Sequence, residues 1–225
     1  MKQSLLVFLP FLTLTCNLLA QNTNQIKLGG YLSVNDFNNN TPTFDSCFSI
    51  TKRSHGAILA WGGNDYSVSY KNESVTDKMI RNDIWGIFQH DTLYLNGHLL
   101  VGFKYYVKVE VLGKYMFLLP VLPTQPKYRK KFGIKYDPYT GFTIDGRSTG
   151  GSPGGAIGGA MQGAQLAGTK IPVIMERETG DVYLATREKI MELLEFSQTL
   201  KDEFKNEKNI NNELIIKYIT LINKN

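Results

Sequence analysis

The residues best suited to chemistry are few: Ser148 in Gly146-Arg147-Ser148-Thr149-Gly150, three histidines, two cysteines and a basic cluster around Lys130. The serine matches the G-x-S-x-G pattern of a hydrolase nucleophile elbow, which needs a histidine general base later in the chain. His55, His90 and His98 all precede Ser148. The match therefore reads as a Gly/Ser-rich turn, no catalytic residue is assigned, and a non-enzymatic role is expected. The histidines lack the i+2 or i+4 spacing of metal ligands, and Cys47 stands alone, so no metal site is expected. His90 and His98 read as flanking a hairpin, where Asp91 would join them in a surface hydrogen-bonding set. Asp65, Asp83, Asp91 and Glu110 read as solvated carboxylates at turns or on polar strand faces.

A glycine run dominates the centre of the chain. Eight of the 21 glycines lie between Gly150 and Gly168, most of them four residues apart. The run contains no G-x-G, and Gly168-Thr169-Lys170 reverses the order that closes a phosphate loop. No nucleotide or other cofactor is expected. On a helix, Gly151, Gly155, Gly159 and Gly163 would form a stripe bare of side chains, suited to close contact with this protein or with a second copy. Each helical glycine costs about 1 kcal/mol relative to alanine, so such a helix needs packing to hold it. No charge occurs from Ser148 to Thr169. A packed helix, a mobile loop and a membrane-inserted segment all remain open from sequence.

The second interaction surface is the loop following Pro120, Pro123 and Pro126. It carries Lys127, Arg129, Lys130 and Lys131, with Lys135 just beyond, interleaved with Tyr128, Phe132 and Tyr136. Basic and aromatic side chains in alternation suit a phosphate-bearing lipid surface or a polyanionic glycan. They also suit a plain solvated connector.

These segments sit in a chain that reads as exported. Lys2 followed by an uncharged, mostly apolar run to Leu19 has the form of a signal peptide ending at Ala20, and Pro10 makes it a poor membrane span. Cys16 offers lipidation as an alternative, although Thr13-Leu14-Thr15 fits the lipoprotein pattern poorly. After cleavage only Cys47 remains, so no internal disulfide staples the fold. Residues 21–225 suffice to bury about 70% of the unfolded surface. The net charge of +5 is too small for a dedicated nucleic-acid binder. A periplasmic or outer-membrane-associated location follows, with possible membrane-surface contact, a possible envelope partner and no nucleic acid.

The elements that position these residues read as strands first and helices last. Phe103, Tyr105, Val107, Val109 and Val111 alternate with Lys104, Lys108 and Glu110, giving a strand with one apolar face. Tyr115 to Leu119 returns after Leu112-Gly113-Lys114. Tyr66, Val68 and Tyr70 form another strand, as do Ile84 to Gln89. Asn96-Gly97 between Leu93-Tyr94-Leu95 and His98 to Val101 predicts a two-residue hairpin. Ser33 to Phe37 predicts a single helical turn. Thr179-Gly180 predicts a further hairpin, and three helices follow: one capped by Thr186 with Ile190, Leu193 and Leu194 as its stripe, one with Leu200 and Phe204, and one with Leu214, Ile215, Tyr218, Ile219 and Ile222.

The expected class is α+β: an antiparallel β-rich domain over 21–146, a glycine-rich segment over 147–169, and a hairpin plus helices over 170–225. Tyr31, Leu32, Asp36, Phe37 and Pro42, then Ile84-Trp85-Gly86-Ile87 and Asp91 to Asn96, and finally Thr179-Gly180 with the ending from Thr186 to Asn223, give an order of motifs. That order resembles an uncharacterised family of secreted envelope proteins from the Bacteroidota. The resemblance spans most of the chain after Ala20 and implies export but no activity.

Overall fold

The computed structural model describes residues 25–71, 74–137, 141–144, 147–148 and 168–225. Residues 1–20, read from sequence as a leader, with Cys16, and the ladder Gly151, Gly155, Gly159 and Gly163 lie outside the described residues. The chain is α+β, with an antiparallel sheet first and helices last. It begins with β1 (Gly29–Tyr31) and α1 (Val34–Asn38), followed by β2 (Phe48–Lys52), α2 (His55–Trp61) and β3 (Tyr66–Tyr70). Next come α3 (Asp77–Asn82), β4 (Gly86–Gln89), β5 (Thr92–Asn96), α4 (Gly97–Val101), β6 (Tyr106–Val111) and β7 (Tyr115–Leu118). After α5 (Pro126–Lys131), a separate small sheet pairs β8 (Lys135–Asp137), β9 (Gly141–Ile144) and β10 (Arg147–Ser148). The chain ends with β11 (Val173–Glu176), β12 (Val182–Leu184), α6 (Arg187–Leu193), α7 (Gln198–Asn206) and α8 (Asn212–Ile222).

The large sheet runs β1-β4-β5-β6-β7-β11-β12, with the antiparallel pair β2–β3 attached where Tyr66 pairs with Tyr106. Residues from every strand of that path share one core: Tyr31, Phe88, Leu95, Val109, Leu118, Val173 and Val182. A sheet whose two edges both contribute to a single core must curl around it, as accumulated strand twist allows. Phe37 of α1 and Leu100 of α4 fill the concave side.

The strands nearest the C-terminal helices are apolar on both faces. Met116 and Leu118 point into the concave core, while Phe117 packs with Ile174 against Ile190, Phe204, Ile215 and Tyr218 of the helices. Burial on both sides explains why Tyr115 to Leu119 reads as a continuous apolar run. Asn223 fixes the last helix to the sheet. Its amide donates to the Tyr115 carbonyl and accepts from the Tyr115 N–H, both at 2.8 Å. Among the described residues every helix except α5 starts on a Ser, Thr or Asn whose side chain accepts a first-turn N–H, each worth about 1 kcal/mol. The β11–β12 hairpin pairs with β7, so it extends the same sheet as the strands of the first half.

Two local expectations are corrected. The hairpin turn is not Asn96-Gly97 but His90-Asp91, which joins β4 to β5 with φ of 49° and 55°. Asn96 instead ends β5 and caps α4, and it is only 2% exposed. Its amide nitrogen lies 3.0, 2.9 and 2.8 Å from the carbonyls of Ile80, Arg81 and Ile84, and its oxygen accepts from His98 N–H. Burial of the Ile80 and Ile84 carbonyls demands donors there. Gly97 is required for a different reason: a Cβ there would meet the Asn64 amide. The second correction concerns the stripe from Phe103. Tyr105 has φ of 74°, which rotates the chain so that Tyr106, rather than Tyr105, enters a core with Phe48, Ile84 and Ile87.

Candidate functional site

The basic cluster is not a loop but the helix α5. Pro126 occupies its first turn, where a missing N–H costs nothing, and three cations close its last turn beside the negative end of the helix dipole. Helical spacing divides the cluster. Lys127, Lys130 and Lys131 stand at i, i+3 and i+4 and share one solvent face, all three exposed. Arg129 points elsewhere, is half-buried, and has its Nε shielded from solvent.

The opposite side of α5 is seated on α4. The Tyr128 hydroxyl donates to the His98 carbonyl at 3.1 Å, and the Gln125 amide donates to the Gly102 carbonyl at 3.1 Å. Gly102 ends α4 in the left-handed region at φ 79°, and a Cβ there would collide with the Tyr128 ring. Phe132 and Ile134 then enter the concave core. A six-residue helix is too short to persist alone, so these anchors hold the lysines in place.

Lys131 also lines a small cavity of about 90 Å³ with Trp85, Leu99, Leu100 and Val182. Leu99 is 41% exposed at this position, beside the cationic face. Although Lys131 is exposed as a residue, packing around its end group pushes its pKa below that of an ordinary lysine. Asp181 pulls it up, and the neighbouring Lys127 ammonium pushes it down. The site thus combines three clustered cations with an adjacent apolar recess.

The remaining sequence candidates are dispersed. His90 is in the β4–β5 turn, His98 is on α4 and His55 opens α2, so His90 and His98 do not flank one hairpin. Among the described residues no group of three His, Cys, Asp or Glu side chains converges as metal ligands. Arg147 and Ser148 form β10, which pairs with β9. Cys47 is exposed beside Asp45, and a hydrogen bond to that carboxylate raises the thiol pKa. Two of the carboxylates read as solvated are paired, Asp65 with Lys170 at 2.6 Å and Glu110 with Lys108 at 2.8 Å. Sequence reasoning missed Gln125, Gly102 and Leu99 as parts of the basic surface. Pro126 at a helical first position and the Tyr128/Phe132 spacing were the available signals.

A curled antiparallel sheet backed by C-terminal helices, with a short basic helix seated on its flank, defines an α+β protein whose candidate site is an electropositive surface. The chain belongs to a family of unknown function (DUF6563), which matches residues 29–225 and so includes every described strand and helix. No curated protein and no solved structure matches the chain.

Proposed function

We propose that this is an exported, non-enzymatic protein of a bacterial envelope, of the Bacteroidota type its motifs resemble, that contacts an anionic lipid surface through α5. The observation carrying this reading is the single face formed by Lys127, Lys130 and Lys131 beside exposed Leu99 and its recess. Each lysine near an anionic membrane contributes about 1 kcal/mol, and an apolar recess gives a lipid-specific contact that a sugar polyanion does not use. The leader form of residues 1–20 supports export, with the periplasm or the outer membrane as the destination. Lipidation at Cys16 would add a second anchor. Among the described residues no helix is long and apolar enough to cross a membrane.

Vesicle flotation tests this reading. The mature chain should float with vesicles containing phosphatidylserine and not with phosphatidylcholine alone. Binding to heparin without any flotation would favour a glycan polyanion and overturn the lipid assignment.

A second reading rests on the four-residue spacing of Gly151, Gly155, Gly159 and Gly163 and on the absence of charge from Ser148 to Thr169. In it the ladder mediates self-association. Leucine at Gly155 and Gly159 should abolish cross-linked dimers, and unchanged cross-linking would remove this reading.

A further inference from the structure

A second site lies away from α5, where β3, α3 and the start of β6 enclose a cleft of about 310 Å³. That volume is at the small end of the range of about 300–1,000 Å³ typical of ligand pockets. Its lining is mixed in a particular way. Val68 and Ile80 supply apolar surface, Tyr105 supplies an aromatic ring, and Arg81 and Lys104 supply two cations against the single carboxylate of Asp77. Among the described residues no ion pair joins Arg81 or Lys104 to a carboxylate. The excess positive charge is therefore not consumed within the fold.

The cleft is built on rigid parts. Asn96 and Tyr106 also line it, and both are tied to the same backbone. The Asn96 amide spans the Ile80, Arg81 and Ile84 carbonyls, while the Tyr106 hydroxyl donates to Ile80 at 2.7 Å. Tyr105 is held in a conformation that a bulky aromatic residue rarely adopts, at φ 74°. Three contacts enforce it. The Gly97 N–H donates to the Tyr105 carbonyl at 3.0 Å, and the Asn64 amide approaches the same oxygen at 3.5 Å. The Arg53 guanidinium lies 3.7 Å from the Tyr105 ring centroid and donates to the carbonyls of Gly62, Asn64 and Ala57. Backbone strain of this kind costs on the order of 1–3 kcal/mol and persists where the surroundings over-determine it, often at ligand clamps.

We infer that this cleft binds a small organic carboxylate with an apolar body, its charge met by Arg81 and Lys104 and its body lying against Val68, Ile80 and Tyr105. An ion of charge alone would leave the apolar wall unused. A neutral body would leave the cations unmatched. Asp77 sets the limit on ligand charge, since a multiply charged anion would meet a like charge at the rim.

Amide-detected NMR titration of the mature protein with benzoate tests the assignment. Benzoate should cause saturable shifts at Arg81, Lys104 and Tyr105, with acetate and benzyl alcohol each binding about tenfold more weakly or less. Arg81→Gln and Lys104→Gln change exposed side chains and should keep the wild-type spectrum elsewhere while weakening benzoate about tenfold each. Absence of saturable shifts, equal binding of acetate, or full affinity in both variants would overturn the assignment. The vesicle-binding reading does not depend on this outcome, because α5 contributes nothing to the cleft.

Discussion

Asn38 and Arg177, 139 positions apart, exchange two hydrogen bonds. The Asn38 amide donates to the Arg177 carbonyl at 2.9 Å, and Arg177 Nε donates to the Asn38 side-chain oxygen at 2.8 Å. The same guanidinium lies 4.9 Å from the Phe37 ring centroid. Through this pair, α1, which follows the edge strand β1, is tied to the β11–β12 turn at the other end of the sheet path. The curl of the sheet is thus bridged by this pair as well as filled by its core. Arg177→Ala removes both the bond and the ring contact and should cost about 1–2 kcal/mol in urea unfolding. Arg177→Lys should recover little of it, because a lysine lacks the planar fork.

Asn96 is the more demanding position. Replacing it with alanine removes the donor of the Arg81 carbonyl, leaves the Ile80 and Ile84 carbonyls to share the Tyr106 hydroxyl, and removes the cap of α4. Unsatisfied buried polar groups cost about 1–3 kcal/mol each, and the cap about 1 kcal/mol more. A loss of about 3 kcal/mol or more by chemical denaturation is expected for Asn96→Ala. A loss below about 1 kcal/mol would show that these carbonyls find other partners.

Gly102 links fold to surface. Gly102→Ala places a side chain at φ 79° and against the Tyr128 ring. The expected result is about 1–3 kcal/mol of destabilisation with displacement of α5, read as NMR shifts at Lys127, Lys130 and Lys131. Vesicle binding should weaken in parallel. If stability falls while those amides stay in place, the seating of α5 does not depend on this glycine.

Tyrosines raised above their ordinary pKa, Tyr70 and Tyr106 most of all, give the fold an alkaline limit. Tyr70 is pushed up to about 12, first by its hydrogen bond to Asp45 and then by burial. Tyr106 is pushed up by burial. Both are raised above the unfolded value of about 10, so the stability they contribute is complete below that pH. It is lost as pH rises through the folded values. Absorbance titration should show these two ionising after the exposed tyrosines, with unfolding free energy falling above about pH 10. Titration of all tyrosines together would contradict the assignment.

Cys47 carries the converse effect on reactivity. Its thiol is held protonated by the hydrogen bond to Asp45, so the thiolate fraction near neutral pH is below that of a free cysteine. Asp45→Asn should speed alkylation by iodoacetamide at neutral pH. An unchanged or slower rate would remove Asp45 as the cause.

Much of the fold was legible because pattern and environment agree. The Tyr66–Tyr70 alternation, the Thr179-Gly180 hairpin and the stripes of the last three helices reappear as β3, the β11–β12 turn and α6 to α8. The failures share a physical cause. Asn96-Gly97 has the local chemistry of a hairpin, but three carbonyls from a segment more than ten residues away, two of them buried, recruit the asparagine. The actual turn, His90-Asp91, uses two non-glycine residues at positive φ, which local preference disfavours without excluding. The basic segment reads as a loop from sequence because its helicity depends on Tyr128 and Gln125 docking on α4. The cleft beside Tyr105 left no sequence signal, since Val68, Arg81 and Lys104 are far apart in the chain and meet only in the fold.

The central claim is that Lys127, Lys130 and Lys131 form a lipid-directed face. The most direct measurement is vesicle affinity against salt for the wild type, for Lys130→Ala with Lys131→Ala, and for Lys205→Ala as an exposed control on α7. At low salt the double variant should lose about tenfold to thirtyfold in affinity for phosphatidylserine vesicles, with a shallower salt dependence, while the control matches the wild type. Equal losses in both variants, or none in either, would contradict the account.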